Sequence, residues 1–172
     1  AEDDIAFWAE AAEASRAYLK TAVHPETGLM PDYAEFDGTP VQYGSGNHDR
    51  FAYDAWRTTM NIALDHHWNE ADPWQVEQVN RILAFFYSQG IDDYRSEYSL
   101  EGEPLSQWHG TGLVAVNGVG AALAATDETR VEFVEALWEL EPPSGQWRYY
   151  DGLLYFMSLL MVSGEFQIYS AP

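Results

Sequence analysis

Apolar residues recur three and four positions apart along most of this chain, the period of an amphipathic helix. The first such run covers 3–22, with Ile5, Trp8, Ala12 and Tyr18 near one face. A second covers 49–69. Asp72-Pro73 then supplies a helix start, with Asp as the cap and Pro at the first helical position, and this third helix runs to Ser88 before Gly90 stops it. A fourth spans 112–125 and is small and apolar enough to be buried. Thr126 is placed to cap a fifth over 127–140. The sixth spans 148–162 and ends at Ser163-Gly164. The pattern predicts an all-α chain of six helices in three successive pairs, stacked as helical hairpins. Only "FQIYS" at 166–170 reads as a strand.

Two segments break the period. "HPETGLMPDYAEFDGTPVQYGSGN" (24–47) and "IDDYRSEYSLEGEPLSQWHG" (91–110) are loops rich in Gly, Pro, Ser and acidic residues. Loops this long in a compact domain are usually functional. No linker composition appears, and 172 residues suit one domain. The chain starts directly in "AEDDIAFWAEAAEASRAYL", which reads as the inside of a longer protein or as a mature product.

Composition narrows the functions open to it. Hydrophobic residues make up 47% of the chain, enough for a core despite a net charge of −20. That charge comes from 28 acidic residues against seven arginines and one lysine, Lys20. No basic stripe is available for phosphates, so a nucleic-acid partner is not expected. An anionic membrane surface is disfavoured equally, and no apolar run has membrane-spanning length. There is no cysteine, hence neither a disulfide framework nor a thiolate metal site. No cofactor is implied, and the compartment is left open.

"FAYDAWRTTMNIALDHHW" (51–68) carries the sharpest chemistry. It places Asp54 and Arg57 one turn apart among Phe51, Tyr53 and Trp56. A carboxylate near a helix start is held as an anion by the macrodipole and by a nearby Arg, and a base that activates water needs such a setting. The structural alternative is an Asp–Arg pair tying a helix end to a loop. Tyr33, Phe36, Tyr43, Trp108, Trp147, Tyr149 and Tyr150 lie in or beside the loops. Aromatic faces beside carboxylates are what a sugar site uses; each taken singly could equally plug the core. His109 sits at a loop-to-helix junction in "QWHGTG". Neither Asn47-His48-Asp49 nor Asp65-His66-His67 has metal-ligand spacing, and no metal is expected. "GTGLVAVNG" follows no strand and lacks the P-loop lysine, and no nucleophile elbow is present.

The stretches "HPETGLMPDYAEFDGTP", "FAYDAWRTTMNIALD", "WHGTGLVAVNG" and "RYYDGLLYFMSLLMVSGEF" together resemble the C-terminal half of glycoside hydrolase family 8. They look closest to its reducing-end-xylose-releasing exo-oligoxylanases. The resemblance implies an (α/α)6 barrel of twelve helices and inverting hydrolysis of β-1,4 glycans. It implies that Asp54, in Tyr53-Asp54-Ala55-Trp56-Arg57, is the general base, with Tyr53 and Arg57 holding it and the attacking water. Tyr33 stands where endoglucanase members carry a sugar-stacking Trp. Trp108-His109 matches the segment in which the exo-oligoxylanases place a His that recognises the reducing-end sugar. Tyr149 and Tyr150 match a stretch near the cleft.

The family's general acid is a Glu early in the chain, and no matching motif occurs in these 172 residues. Residues 1–172 therefore read as the C-terminal half of the catalytic domain, six helices of twelve, expected to work only with the N-terminal half as a second chain or missing segment. The expected ligand is a xylo-oligosaccharide or another β-1,4-glycan. The alternatives are a β-1,4-glucan endoglucanase on the same scaffold and a non-catalytic carbohydrate-binding helical module.

Overall fold

The computed structural model describes residues 2–146 and 148–168, with the backbone alone for Glu2 and Asp3. Trp147 and the last two residues of the strand-like run, Tyr169 and Ser170, lie outside the described residues. Six helices form among them: α1 (Glu2–Ala22), α2 (Tyr53–Asn69), α3 (Trp74–Ser88), α4 (Thr111–Leu123), α5 (Arg130–Glu139) and α6 (Arg148–Val162). No strand forms among the described residues, 166–168 included; the only bridges are isolated, such as Phe51 to Tyr98.

α4 is the centre of the molecule. It packs between α2 and α6 and against α5, with lighter contact to α3, which also lies on α2. Its sequence explains the placement. Every residue from Gly112 to Ala121 is buried, and glycines stand where neighbours come closest. A Cβ at Gly118 would lie 2.7 Å from Leu137 Cβ on α5, and one at Gly120 would lie 2.8 Å from Thr59 Cγ2 on α2. Trp56, Phe51, Phe86, Leu113, Val119 and Phe133 fill the space around it.

α1 is fastened mainly by polar groups. Arg16 grips Asp65 with two 2.7 Å bonds, Asn69 and Gln75 also donate to Asp65, and Lys20 pairs with Asp72. These contacts hold its C-terminal half. Ile5 and Trp8, near one face by periodicity, are 73% and 69% exposed.

Helix starts differ from the sequence reading. α2 begins at Tyr53 rather than Asp49, because Phe51 exchanges both backbone bonds with Tyr98 at 3.0 Å and Ala52 is extended. α5 begins at Arg130 rather than Asp127. Thr126 does not cap it; its hydroxyl and amide both bond Asn80 on α3. Asp72 Oδ1 accepts from the Trp74 amide at 3.0 Å, but α3 starts at Trp74 and Pro73, expected as its first residue, stands at the cap position instead. Among the described residues no helix is long and apolar enough to cross a membrane.

Candidate active site

The long loops precede α2 and α4, and "EPPSGQ" (141–146) lies ahead of α6, so irregular chain gathers near where these three helices begin. The starts meet. The Tyr150 hydroxyl at the head of α6 donates to the Tyr53 carbonyl at the head of α2. The Gly112 amide in the first turn of α4 donates to Asp151 Oδ1 of α6 at 3.3 Å. Trp108, just before α4, lies 6.0 Å from Tyr53 and 5.7 Å from Trp56, ring centre to ring centre. Trp56 is fully buried and its indole N–H donates to the Ser96 carbonyl at 2.9 Å, which anchors the group.

Tyr53, Trp108, Tyr150 and Asp151 line a cleft of ≈ 240 Å³. Three aromatic faces and one carboxylate suit a sugar, whose CH face stacks on rings and whose hydroxyls bond acids. Burial pushes the Tyr150 phenol up to about 12 and also raises the Asp151 carboxyl above the usual range. The Tyr53 phenol is raised by burial first and then by Glu97, which pairs with Arg50 at 2.7 Å.

Asp54 lies in the first turn of α2, next in the chain to Tyr53 of the cleft lining. Its Oδ1 lies 2.5 Å from an Arg57 nitrogen, and the two side chains are 41% and 45% exposed. An ion pair that open contributes only about 0.2–1 kcal/mol. It also lies wholly within α2, so it does not tie the helix end to a loop. That tie is Asp32, whose Oδ1 accepts the amides of Asp54 and Ala55 at 3.0 and 3.1 Å. The charges of Asp54 and Arg57 bear on the Tyr150 phenol, Arg57 lowering its pKa and Asp54 raising it.

The other sequence candidates are distributed unevenly. Tyr33 stacks on His48 at 4.2 Å and meets Tyr43 edge-on at 6.2 Å, one residue from Asp32. His109 bonds the Tyr94 carbonyl through Nδ1 at 2.6 Å. A carbonyl can only accept, so Nδ1 carries the proton and Nε2 is left for another partner. Tyr149 is 82% exposed and is not brought to the cleft. One residue is about 100° of helix, and Tyr149 lies instead in an open groove of ≈ 490 Å³ with Leu153 and Phe156. Among the described residues no three His, Cys, Asp or Glu side chains cluster as metal ligands. Asp32, Glu97 and Asp151 were not singled out from the sequence. Asp32 and Asp151 lie inside the quoted "LMPDY" and "RYYDG", but no period or spacing marks them.

The family model for glycosyl hydrolases family 8 matches residues 3–164. The chain belongs to glycoside hydrolase family 8. It is 48% identical over 171 residues to a reducing-end xylose-releasing exo-oligoxylanase of Paenibacillus barcinonensis, covering 98% of this chain and 44% of that protein. To a reducing end xylose-releasing exo-oligoxylanase of Halalkalibacterium halodurans it is 42% identical over 170 residues, covering 98% and 43%. Among solved structures, a family 8 protein of Teredinibacter turnerae in complex with xylobiose superposes with a TM-score of 0.90 at 44% identity, covering 97% of this chain and 42% of that one. The chain thus spans less than half the length of the family 8 relatives it matches. Its six described helices amount to about half of the family's (α/α)6 barrel, with α2, α4 and α6 side by side and α3 and α5 behind them.

Proposed function

We propose that this chain is the general-base half of an inverting hydrolase of xylo-oligosaccharides, with Asp54 as the base. The observation that carries the reading is the place of Asp54. It stands open to solvent at a helix start beside an aromatic cleft, paired with Arg57 at 2.5 Å. Asp54 takes a proton from water as that water attacks the anomeric carbon. The bond to the leaving sugar breaks on the opposite face, and the leaving oxygen is protonated by a carboxylic acid about 6.5–9.5 Å away. Arg57 holds the Asp54 carboxylate in orientation through its 2.5 Å contact. Tyr53, Trp108 and Tyr150 stack the sugar, and His109 Nε2 reads the hydroxyls at the reducing end.

The acid comes from the remaining half of the barrel. Apolar side chains exposed on the first and last helices support this: Ile5, Phe7 and Trp8 on α1, and Leu153 and Phe156 on α6. Exposed apolar surface of that kind marks an interaction site, and these are the edges where a half barrel meets its complement. Xylan is favoured over glucan because the exo-oligoxylanase relatives are 34–48% identical to this chain and the endoglucanase relatives 27–28%.

The test is hydrolysis of xylotriose by the assembled enzyme, product anomer followed by NMR. Asp54→Asn should reduce kcat by several orders of magnitude while leaving the melting temperature within a few degrees. An active Asp54→Asn enzyme refutes the assignment. Turnover by rigorously purified 172-residue chain alone refutes the need for the other half.

A further inference from the structure

α2 has no cap of its own. Its N-cap position is Ala52, which makes no side-chain bond, yet the first amides of a helix have no partner within it. Asp32 meets two of them from 22 residues upstream. One oxygen serves both: Asp32 Oδ1 accepts the Asp54 amide at 3.0 Å and the Ala55 amide at 3.1 Å. The other oxygen lies 3.4 Å from His48 Nδ1, and the His48 ring lies flat on Tyr33. The backbone is pinned as well, with the Asp32 amide bonded to the Arg50 carbonyl at 2.9 Å and the Tyr33 amide to the His48 carbonyl at 2.9 Å. The Asp32 side chain is 5% exposed. Burial holds its carboxyl above the ordinary value and the Asp54 charge adds to that; the two amides and His48 oppose the shift, as does the positive end of the α2 dipole.

This carboxylate is not part of the cleft lining. It acts on the residue that is proposed to do chemistry. The peptide nitrogen of Asp54 is what Asp32 holds, one atom from the Cα that carries the Asp54 side chain. Without that bond the start of α2 keeps the Phe51–Tyr98 bridge and the Tyr150 bond to the Tyr53 carbonyl, but the amides of Asp54 and Ala55 lose their partner and the Asp54 carboxylate is less closely placed.

We infer that Asp32 is a positioning residue: its charged carboxylate fixes the backbone of Asp54 and so sets where the Asp54 carboxylate meets the attacking water. The inference rests on Asp54 being the general base. A displacement of about 1 Å in such a group costs on the order of 10²-fold in rate. Bonds to a charged acceptor are roughly twice as strong as neutral ones, so an amide in place of Asp32 should restore part of the effect.

The experiment compares Asp32→Ala, Asp32→Asn and Asp54→Asn in the assembled enzyme with xylotriose. It measures kcat and KM separately, and amide hydrogen exchange at Asp54 and Ala55. The expected order of kcat is wild type, then Asp32→Asn, then Asp32→Ala at about 10²-fold down. KM should be unchanged, with faster exchange at both amides. Wild-type kcat per folded molecule in Asp32→Ala overturns the inference. If Asp32→Ala does not fold, Asp32→Asn decides: wild-type kcat and exchange there overturn the role of the charge. An active Asp54→Asn instead overturns the reading of Asp54, a result separate from both.

Discussion

The close approach of α4 to its neighbours can be tested by adding one carbon. At Gly118 the new Cβ would lie 2.7 Å from Leu137 Cβ, 2.9 Å from Leu137 Cδ2 and 3.2 Å from the Phe133 carbonyl oxygen. Leu137 Cβ and the Phe133 carbonyl move only with the α5 backbone. Normal carbon contacts are about 3.5–4.0 Å, so α5 must retreat by roughly 1 Å. Overpacking of this kind costs about 1–3 kcal/mol, against a gain of about 1 kcal/mol from replacing Gly by Ala in a helix. Because the obstructing atoms move only with backbone, the upper part of that range, about 2–3 kcal/mol, applies, and the net loss for Gly118→Ala is about 1–2 kcal/mol. At this chain length each kcal/mol is about 2–4 °C, so the melting temperature should fall by roughly 2–8 °C. At Gly120 the nearest atoms are side-chain methyls, Thr59 Cγ2 at 2.8 Å and Val79 Cγ1 at 3.3 Å, so Gly120→Ala should cost less. Both are measured by thermal and urea unfolding of the same preparation. A neutral Gly118→Ala, or a larger loss at Gly120, would refute the argument that these glycines set the helix spacing.

Asp65 should make the fastening of α1 dependent on acid. Arg16, then Asn69 and Gln75, hold the Asp65 carboxyl below the usual range against burial. Its folded pKa lies below the unfolded one, so its stabilisation is present above about pH 4 and is lost as pH falls through the folded value. Asp65→Asn should cost about 1–2 kcal/mol at pH 7, and the gap from wild type should narrow progressively in melts as pH falls below about 4. Trp108→Ala should weaken xylotriose binding to the assembled enzyme by about 3–10-fold, the worth of one aromatic stack; unchanged calorimetric affinity would remove Trp108 from the sugar site. His109→Ala should change which product is released, or the affinity, more than kcat, and an unaltered product pattern and KM would show that Nε2 does not read the sugar.

The helices were legible along the chain because burial on one side imprints a period on the sequence. α4 was also recognisable as buried, since no other segment is so uniformly small and apolar. The base candidate showed itself through local contrast: a carboxylate and a guanidinium one turn apart among aromatics. Local signals failed where a distant group intervened. The start of α2 is set by Tyr98, far along the chain, which holds Phe51 extended. Thr126 looked like a cap, but Asn80 takes its hydroxyl. Tyr149 and Tyr150 are neighbours in sequence, yet one turn angle sends only Tyr150 to the cleft.

What the sequence by itself determined is the number of helices and the acid-rich composition, and it marked Asp54 as the candidate base, because these depend on residues within a few positions of one another. Only the tertiary structure decided how that group is held. Asp32 and Asp54 are 22 residues apart and share no period, and their connection exists because the loop folds back to place one buried oxygen over two free amides. A bond of that kind leaves no trace in spacing, since its geometry is set by the packing of everything between.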